Sequence, residues 1–276
     1  MRLSTWTAKP ELITATQELE DLSQTSRGLA QVVGAPVTLG IDLASLPAKT
    51  AACRVNWAGP VVIEDPIVGL KDSDLATLMS DANKVGIDVP LGWPITFAEN
   101  LAAHQSGSPW TIAHTDRRLY LRATDRFVIS EIGRRPLSVS ADKIAVPAMR
   151  AAYFLSRLGI NFDRSGRGAI VEVYPAASLL IWGFNANRYK GQKGSATRRQ
   201  LIDSFRRATE SWVVMSETCY AACIGDDNAF DALIASLTAR AASRGLTRPM
   251  PPDQTAAAEI EGWIALPRNG SLGLLA

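Results

Sequence analysis

Val37-Thr38-Leu39-Gly40-Ile41-Asp42-Leu43-Ala44 and its echo Val85-Gly86-Ile87-Asp88-Val89-Pro90-Leu91-Gly92 decide how this chain is read. Each is an apolar run of strand length that delivers an aspartate at its end. A carboxylate carried into an apolar interior is costly unless it is partnered. Made twice, the same placement asks for a shared partner, and a divalent cation is the economical one. A third acid, Asp231, interrupts the apolar helical run Phe230-Asp231-Ala232-Leu233-Ile234-Ala235. Three such intrusions from distant parts of the chain predict one metal site.

Outward from these segments, residues 51–57 and 60–64 read as strands joined by a turn at Ala58-Gly59. Asp72 or Ser73 can cap a helix reaching about Asn83, with Leu75, Leu78 and Met79 on one face. Strand, strand, strand, helix, strand is the order of a mixed sheet, an α/β fold. The helix crosses over and lays residues 85–89 beside residues 37–44. Both acids then emerge at the carboxyl ends of neighbouring strands, where open α/β sheets place ligands. Residues 95–165 read as a largely helical, basic insertion, in which Pro147 suits the first turn of a helix reaching Leu158. A strand over 169–175 carries Glu172. Helices are expected over 198–210, 212–223 and 227–242, and residues 259–264 could close the sheet. Residues 1–34 form a polar extension, leaving residues 35–270 as one domain.

A chain of 276 residues, 47% hydrophobic and 20% charged, can bury a substantial core. It has no apolar run long enough to span a membrane and no secretory signal core. Three cysteines make a poor disulfide framework. A cytoplasmic location is expected from these features together. The net charge of +2 is unevenly spread: residues 110–207 hold 18 Lys or Arg against 7 Asp or Glu. Such asymmetry fits a surface for a polyanion, nucleic acid above all, or simply arginines that solvate helix faces.

The acids separate by position. Asp42 and Asp88 end strands, where the competing reading is a turn acid bonding its own backbone. Asp226 and Asp227 stand where acids cap a helix. Asp231 lies too far in to cap. It shares a helix face with Asp227, about 40° away, so the two carboxylates repel unless a cation intervenes. Asp227 is thus a further candidate ligand. Glu172 alternates with Val171 and Val173, which suits either a fourth ligand or an ordinary strand residue. Hard oxygen donors of this kind select Mg²⁺ or Mn²⁺, and a pair of such ions can drive phosphodiester hydrolysis. Two histidines, His104 and His114, argue against a histidine-rich zinc site, and no Gly-x-Ser-x-Gly or Walker lysine is present.

Gly40-Ile41-Asp42, Gly86-Ile87-Asp88-Val89-Pro90-Leu91-Gly92, Arg122-Ala123-Thr124-Asp125, Val171-Glu172-Val173-Tyr174-Pro175, Asp231-Ala232-Leu233 and Glu261-Gly262-Trp263-Ile264 occur in that order. Together they resemble the DUF429 family, described as predicted nucleases of the ribonuclease H-like fold. The resemblance implies Asp42 as the first-strand acid, Asp231 as the acid of the C-terminal helix, Asp88 between them and Glu172 as a fourth. It also marks Arg122 and Asp125 as signature positions, either at the substrate or as an ion pair that pins the insertion to the core. The expectation is a Mg²⁺- or Mn²⁺-dependent nuclease whose substrate backbone is gripped by Arg117, Arg118, Arg122, Arg126 and Lys190. Two rivals remain. One is a non-catalytic nucleic-acid or protein-binding module. The other is an actin-like or sugar-kinase phosphotransferase, disfavoured because Leu43-Ala44-Ser45-Leu46-Pro47 is no phosphate loop.

Overall fold

Strand β1 (Val37–Asp42) is the axis of the sheet. In a computed structural model, which describes residues 36–159 and 162–276, it pairs antiparallel with β2 (Ala51–Asn56), and β2 pairs antiparallel with β3 (Val61–Ile63). The extension expected over residues 1–34 lies outside the described residues. A short β4 (Ile67–Val68) also joins β2. Helix α1 (Asp72–Ser80) starts where Lys71 N–H donates to the Asp74 carboxylate at 2.9 Å, and it buries Leu75, Ala76 and Met79. It delivers β5 (Lys84–Asp88) parallel to β1, with Gly40 opposite Gly86 and Asp42 opposite Asp88. The crossover expected from the sequence is therefore the one formed.

Between β5 and the next strand run α2 (Ile95–Gln105), α3 (Ala123–Ile132) and α4 (Ala145–Arg157). Strand β6 (Ile170–Glu172) then pairs parallel with β5, followed by α5 (Pro175–Ile181) and α6 (Ser195–Thr209). Residues 212–223 depart from the single helix expected. Val213 and Val214 form β7, parallel to β3, and only then does α7 (Glu217–Gly225) begin. Two consecutive β-branched residues beside Val61 and Val62 suit a sheet edge better than a helix start. Helix α8 (Asp227–Ser243) follows. Residues 259–264 also differ from expectation: α9 (Thr255–Glu261) takes the first half of them, and Ile264 alone bridges to Glu172. The seven-stranded mixed sheet has the order β6-β5-β1-β2-β3-β7.

Strand alternation sorts the two faces. Leu39, Ile41, Val85 and Ile87 pack on one side with Leu75 and Met79 of α1 and Phe154 and Leu155 of α4. Thr38, Gly40, Asp42, Gly86 and Asp88 look the other way, towards α8. There the glycines are a spacing device. A Cβ on Gly40 would fall 1.9 Å from the Ala232 carbonyl oxygen, and one on Gly86 would fall 2.5 Å from that of Ala235. The helix backbone thus rides against the strands, and the Thr38 and Ser236 hydroxyls meet at 2.8 Å. Helix α8 is buried from Ala229 through Ala241, because Phe205, Tyr189 and Cys219 cover its far side. A helix apolar on all sides belongs in a core. Among the described residues no helix is long and apolar enough to cross a membrane.

Candidate functional site

In each Gly-Ile-Asp triplet the glycine admits the helix, and the aspartate two residues on meets the same face one step further along. Asp42 and Asp88 are register partners on parallel strands, hence about 4.8 Å apart along the sheet. Their side chains leave the same face at the carboxyl ends of β1 and β5. Both are half-buried, and among the described residues no donor reaches either carboxylate. Asp231, fully buried in the second turn of α8, is close enough for its charge to push both carboxyls up. The three strongest candidates therefore share one place.

That place already contains a cation. Lys190 Nζ lies 2.5 Å from Asp231 Oδ2, and the Tyr189 hydroxyl donates to Asp231 Oδ1 at 2.5 Å. Burial pulls the Lys190 ammonium down, but Asp231, Asp88 and Asp42 outweigh it and hold the pKa above its ordinary value. One ammonium does not balance three acids. Burial, with Asp88 and Asp231 close by, pushes the Asp42 carboxyl well above the usual carboxylate range despite Lys190. Asp88 is pushed up to about 7, mainly by burial, with Lys190 opposing and Asp231 adding to the rise. The donors are hard carboxylate oxygens, the chemistry Mg²⁺ and Mn²⁺ prefer. As they stand, however, no three Asp, Glu, His or Cys side chains among the described residues converge to hold a metal ion. Donor chemistry fits the ion; the arrangement is the one an ammonium imposes.

The segment carrying Lys190 is clamped. Arg198, 3% exposed on its side chain, donates from Nη1 to the carbonyls of Tyr189 (2.8 Å) and Gly191 (3.1 Å). Asp227 Oδ1 accepts from Gly191 N–H at 3.1 Å and lies 3.7 Å from Arg198 Nη1. Asp227, expected as a ligand, thus braces the loop that bears the lysine. Asp226 caps α8 by accepting from Asn228 N–H at 2.8 Å. The Gly- and Asn-rich stretch around Tyr189-Lys190 is therefore pinned. Sequence reasoning missed Tyr189 and Arg198. The usable signal for Tyr189 was an aromatic flush against the lysine; Arg198 gave none, looking like any helix arginine.

Glu172, expected as the fourth acid, stands apart. It is the register partner of Ile87, not of Asp88, so alternation turns it to the opposite face of the sheet. Arg122 holds both its oxygens at 2.7 and 2.8 Å, and Leu91 N–H donates to it at 3.0 Å. Asp125 grips the same guanidinium at 3.0 Å. Burial raises Glu172 above the usual carboxylate range, with Arg122 opposing. Arg122 and Asp125 are 2% and 0% exposed, so a ligand in solvent meets neither. Glu261 completes this buried knot, accepting from Ala123 N–H at 2.6 Å and Ile95 N–H at 2.8 Å. The knot ties the insertion to β6 and to the turn after β5. Of the other basic candidates, Arg118 is paired with Asp116 at 2.7 Å, Arg126 donates to the Leu121 carbonyl at 2.7 Å, and Arg117 is exposed. Lys190 alone among them pairs with one of the three aspartates, Asp231, and its charge is felt by the other two.

No curated protein and no solved structure matches the chain. A family model described as "Protein of unknown function (DUF429)" matches residues 40–256, which include Gly40, both strand aspartates, Lys190 and Asp231. With that match covering most of its length, the chain belongs to the DUF429 family.

Proposed function

We propose that this protein is a divalent-metal-dependent phosphodiesterase of ribonuclease H-like architecture acting on nucleic acid. Asp42, Asp88 and Asp231 would hold Mg²⁺ or Mn²⁺. The observation that carries the reading is the pair of in-register carboxylates, Asp42 and Asp88, on one face at adjacent strand ends, with no donor on either among the described residues. Buried, unpartnered carboxylates are expensive to keep. A protein that positions two of them beneath a third has charge set aside for a cation. The antiparallel meander β1-β2-β3, extended through parallel β5 and β6, is the sheet that a ribonuclease H-like reading expects.

When bound, such ions would activate the attacking water and stabilise the leaving oxygen. The chain's own groups do the rest. Tyr189 fixes one oxygen of Asp231, and the other faces Lys190 and the side where a ligand would come. Lys190 supplies positive charge at the mouth, where a phosphate must arrive. Asp227 and Arg198 keep Lys190 there.

The test is cleavage of single-stranded and duplex DNA and RNA with Mg²⁺, with Mn²⁺ and with a chelator. The expected result is metal-dependent cleavage, reduced at least a hundredfold by Asp42→Asn, with nucleic-acid binding retained. A parent protein that binds nucleic acid but never cleaves it would support the second reading, a binding module. The Lys190–Asp231 ion pair favours that alternative, because it gives the acids a structural partner.

A further inference from the structure

We propose that Lys190 is the resident counter-ion of the aspartate cluster and that a divalent cation loads by displacing its ammonium group, so that this side chain gates the site. The inference rests on the metal reading above and adds a device to it. Three observations carry it.

The first is occupancy: Nζ sits 2.5 Å from the buried Asp231 oxygen, close enough for its charge to act on Asp42 and Asp88 as well. A metal ion and the ammonium cannot share that oxygen in the same geometry. The second is delivery. Arg198 and Asp227 hold the backbone on either side of Lys190, and Arg188 accepts a φ of 55° at the entrance to the turn. A non-glycine residue in the left-handed region is uncommon and persists where its surroundings demand it. The chain is bent to bring this one side chain to this one place. The third is freedom to leave. The Lys190 side chain is 51% exposed although its head is in the cluster, so its stem can swing into solvent without opening the core. Asp231, at 0%, cannot move away, so the exchange must occur at the lysine.

The charges favour the exchange once a ligand is present. One ammonium against three carboxylates leaves the cluster formally at −2, and a divalent ion in its place leaves −1. The displaced ammonium stays tethered to a clamped turn, within a side chain's length of the ion, where an anionic phosphate would meet it. Metal and phosphate should then assist each other, and the coupling is reciprocal.

The test is a Mn²⁺ titration of the full chain by calorimetry, with bound ion counted by electron paramagnetic resonance, for the parent, Lys190→Met and Lys190→Arg. Lys190→Met should bind Mn²⁺ at least tenfold more tightly than the parent, and Lys190→Arg no more tightly than the parent. A parent that binds Mn²⁺ as well as Lys190→Met overturns the gate and leaves the metal reading standing. No Mn²⁺ bound by any of the three overturns both. A second readout needs no variant: Lys190 in the parent should be slow to react with an amine-acylating reagent and should become several-fold faster with saturating Mn²⁺, followed by peptide mass spectrometry. Reactivity unchanged by bound Mn²⁺ would equally overturn the gate.

Discussion

Replacing Asp88 with asparagine should stabilise the metal-free protein, and by an amount that grows with pH. Asp88 in the folded chain titrates at about 7, against an ordinary value of 3.8. The sign follows from linkage: a carboxyl with a raised folded pKa supports folding at low pH and loses that support as pH climbs towards 7. From that shift, Asp88 costs the folded state on the order of 2 kcal/mol at pH 5 and about twice that at pH 8. Asparagine carries no such cost. The advantage of Asp88→Asn should therefore rise by roughly 2 kcal/mol between the two pH values, or several degrees in Tm. Thermal melts of parent and variant at pH 5, 6, 7 and 8, in chelator, read this directly. Adding Mn²⁺ at pH 8 should narrow the gap, because the ion stabilises only the parent's carboxylate. Parallel Tm curves across the pH range would refute the claim that Asp88 is ionised at a cost. A variant less stable than the parent at pH 8 would mean that the Lys190 ammonium depends on Asp88 more than on Asp231.

The remaining expectations concern the frame around the site. Gly40→Ala places a methyl group 1.9 Å from the Ala232 oxygen, and overpacking against backbone should cost about 3 kcal/mol or more by denaturant unfolding. A loss under 1 kcal/mol would mean that α8 can slide away. Arg122→Met strips the cation from Glu172 and Asp125, both buried, and should cost about 3–5 kcal/mol near neutral pH. Adding Glu172→Gln should return part of that loss, and strictly additive costs would refute the shared-cation account. Asp42→Asn should remove metal-dependent cleavage while leaving the melt at pH 5 near that of the parent, the readout being product formation beside Tm.

What was legible in the sequence was whatever depends on local periodicity and spacing. The two Gly-Ile-Asp triplets announced strands ending in acids. The intervening helix announced a crossover, and the lone acid in an apolar helix announced Asp231. These three signals suffice to bring Asp42, Asp88 and Asp231 to one place. What stayed hidden depends on register and on long-range partners. Glu172 sits in an apolar strand just as Asp88 does, and only its pairing opposite Ile87 turns it to the other face. Arg122, 50 residues upstream of Glu172, gave no sign of being its partner. Val213 and Val214 read as part of a helix because their strand partners lie far upstream in β3. The basic excess of residues 110–207 was real as a count. Yet Arg118, Arg122, Arg150, Arg167 and Arg206 each meet a carboxylate, so the count overstates the charge left for a polyanion.

The same backbone device explains both the fold and the tension in the site. Gly40 and Gly86 allow α8 to lie directly on β1 and β5, which limits water in the space beyond them. That packing leaves the half-buried carboxylates two residues further on with little solvent to stabilise them. Widening the contact would solvate the acids and lower their pKa values, at the expense of the core. Keeping it tight raises the affinity of the cluster for any cation that fits, whether an ammonium on a tethered chain or a metal ion from solution. Competition between those two cations is then a direct consequence of how closely helix and sheet pack. A substitution that loosens the helix without touching an acid, Ser236→Gly for example, should weaken Mn²⁺ binding and lower the Asp88 pKa together, as read by calorimetry and by the pH dependence of Tm. If one moved without the other, tight packing would not be their common cause.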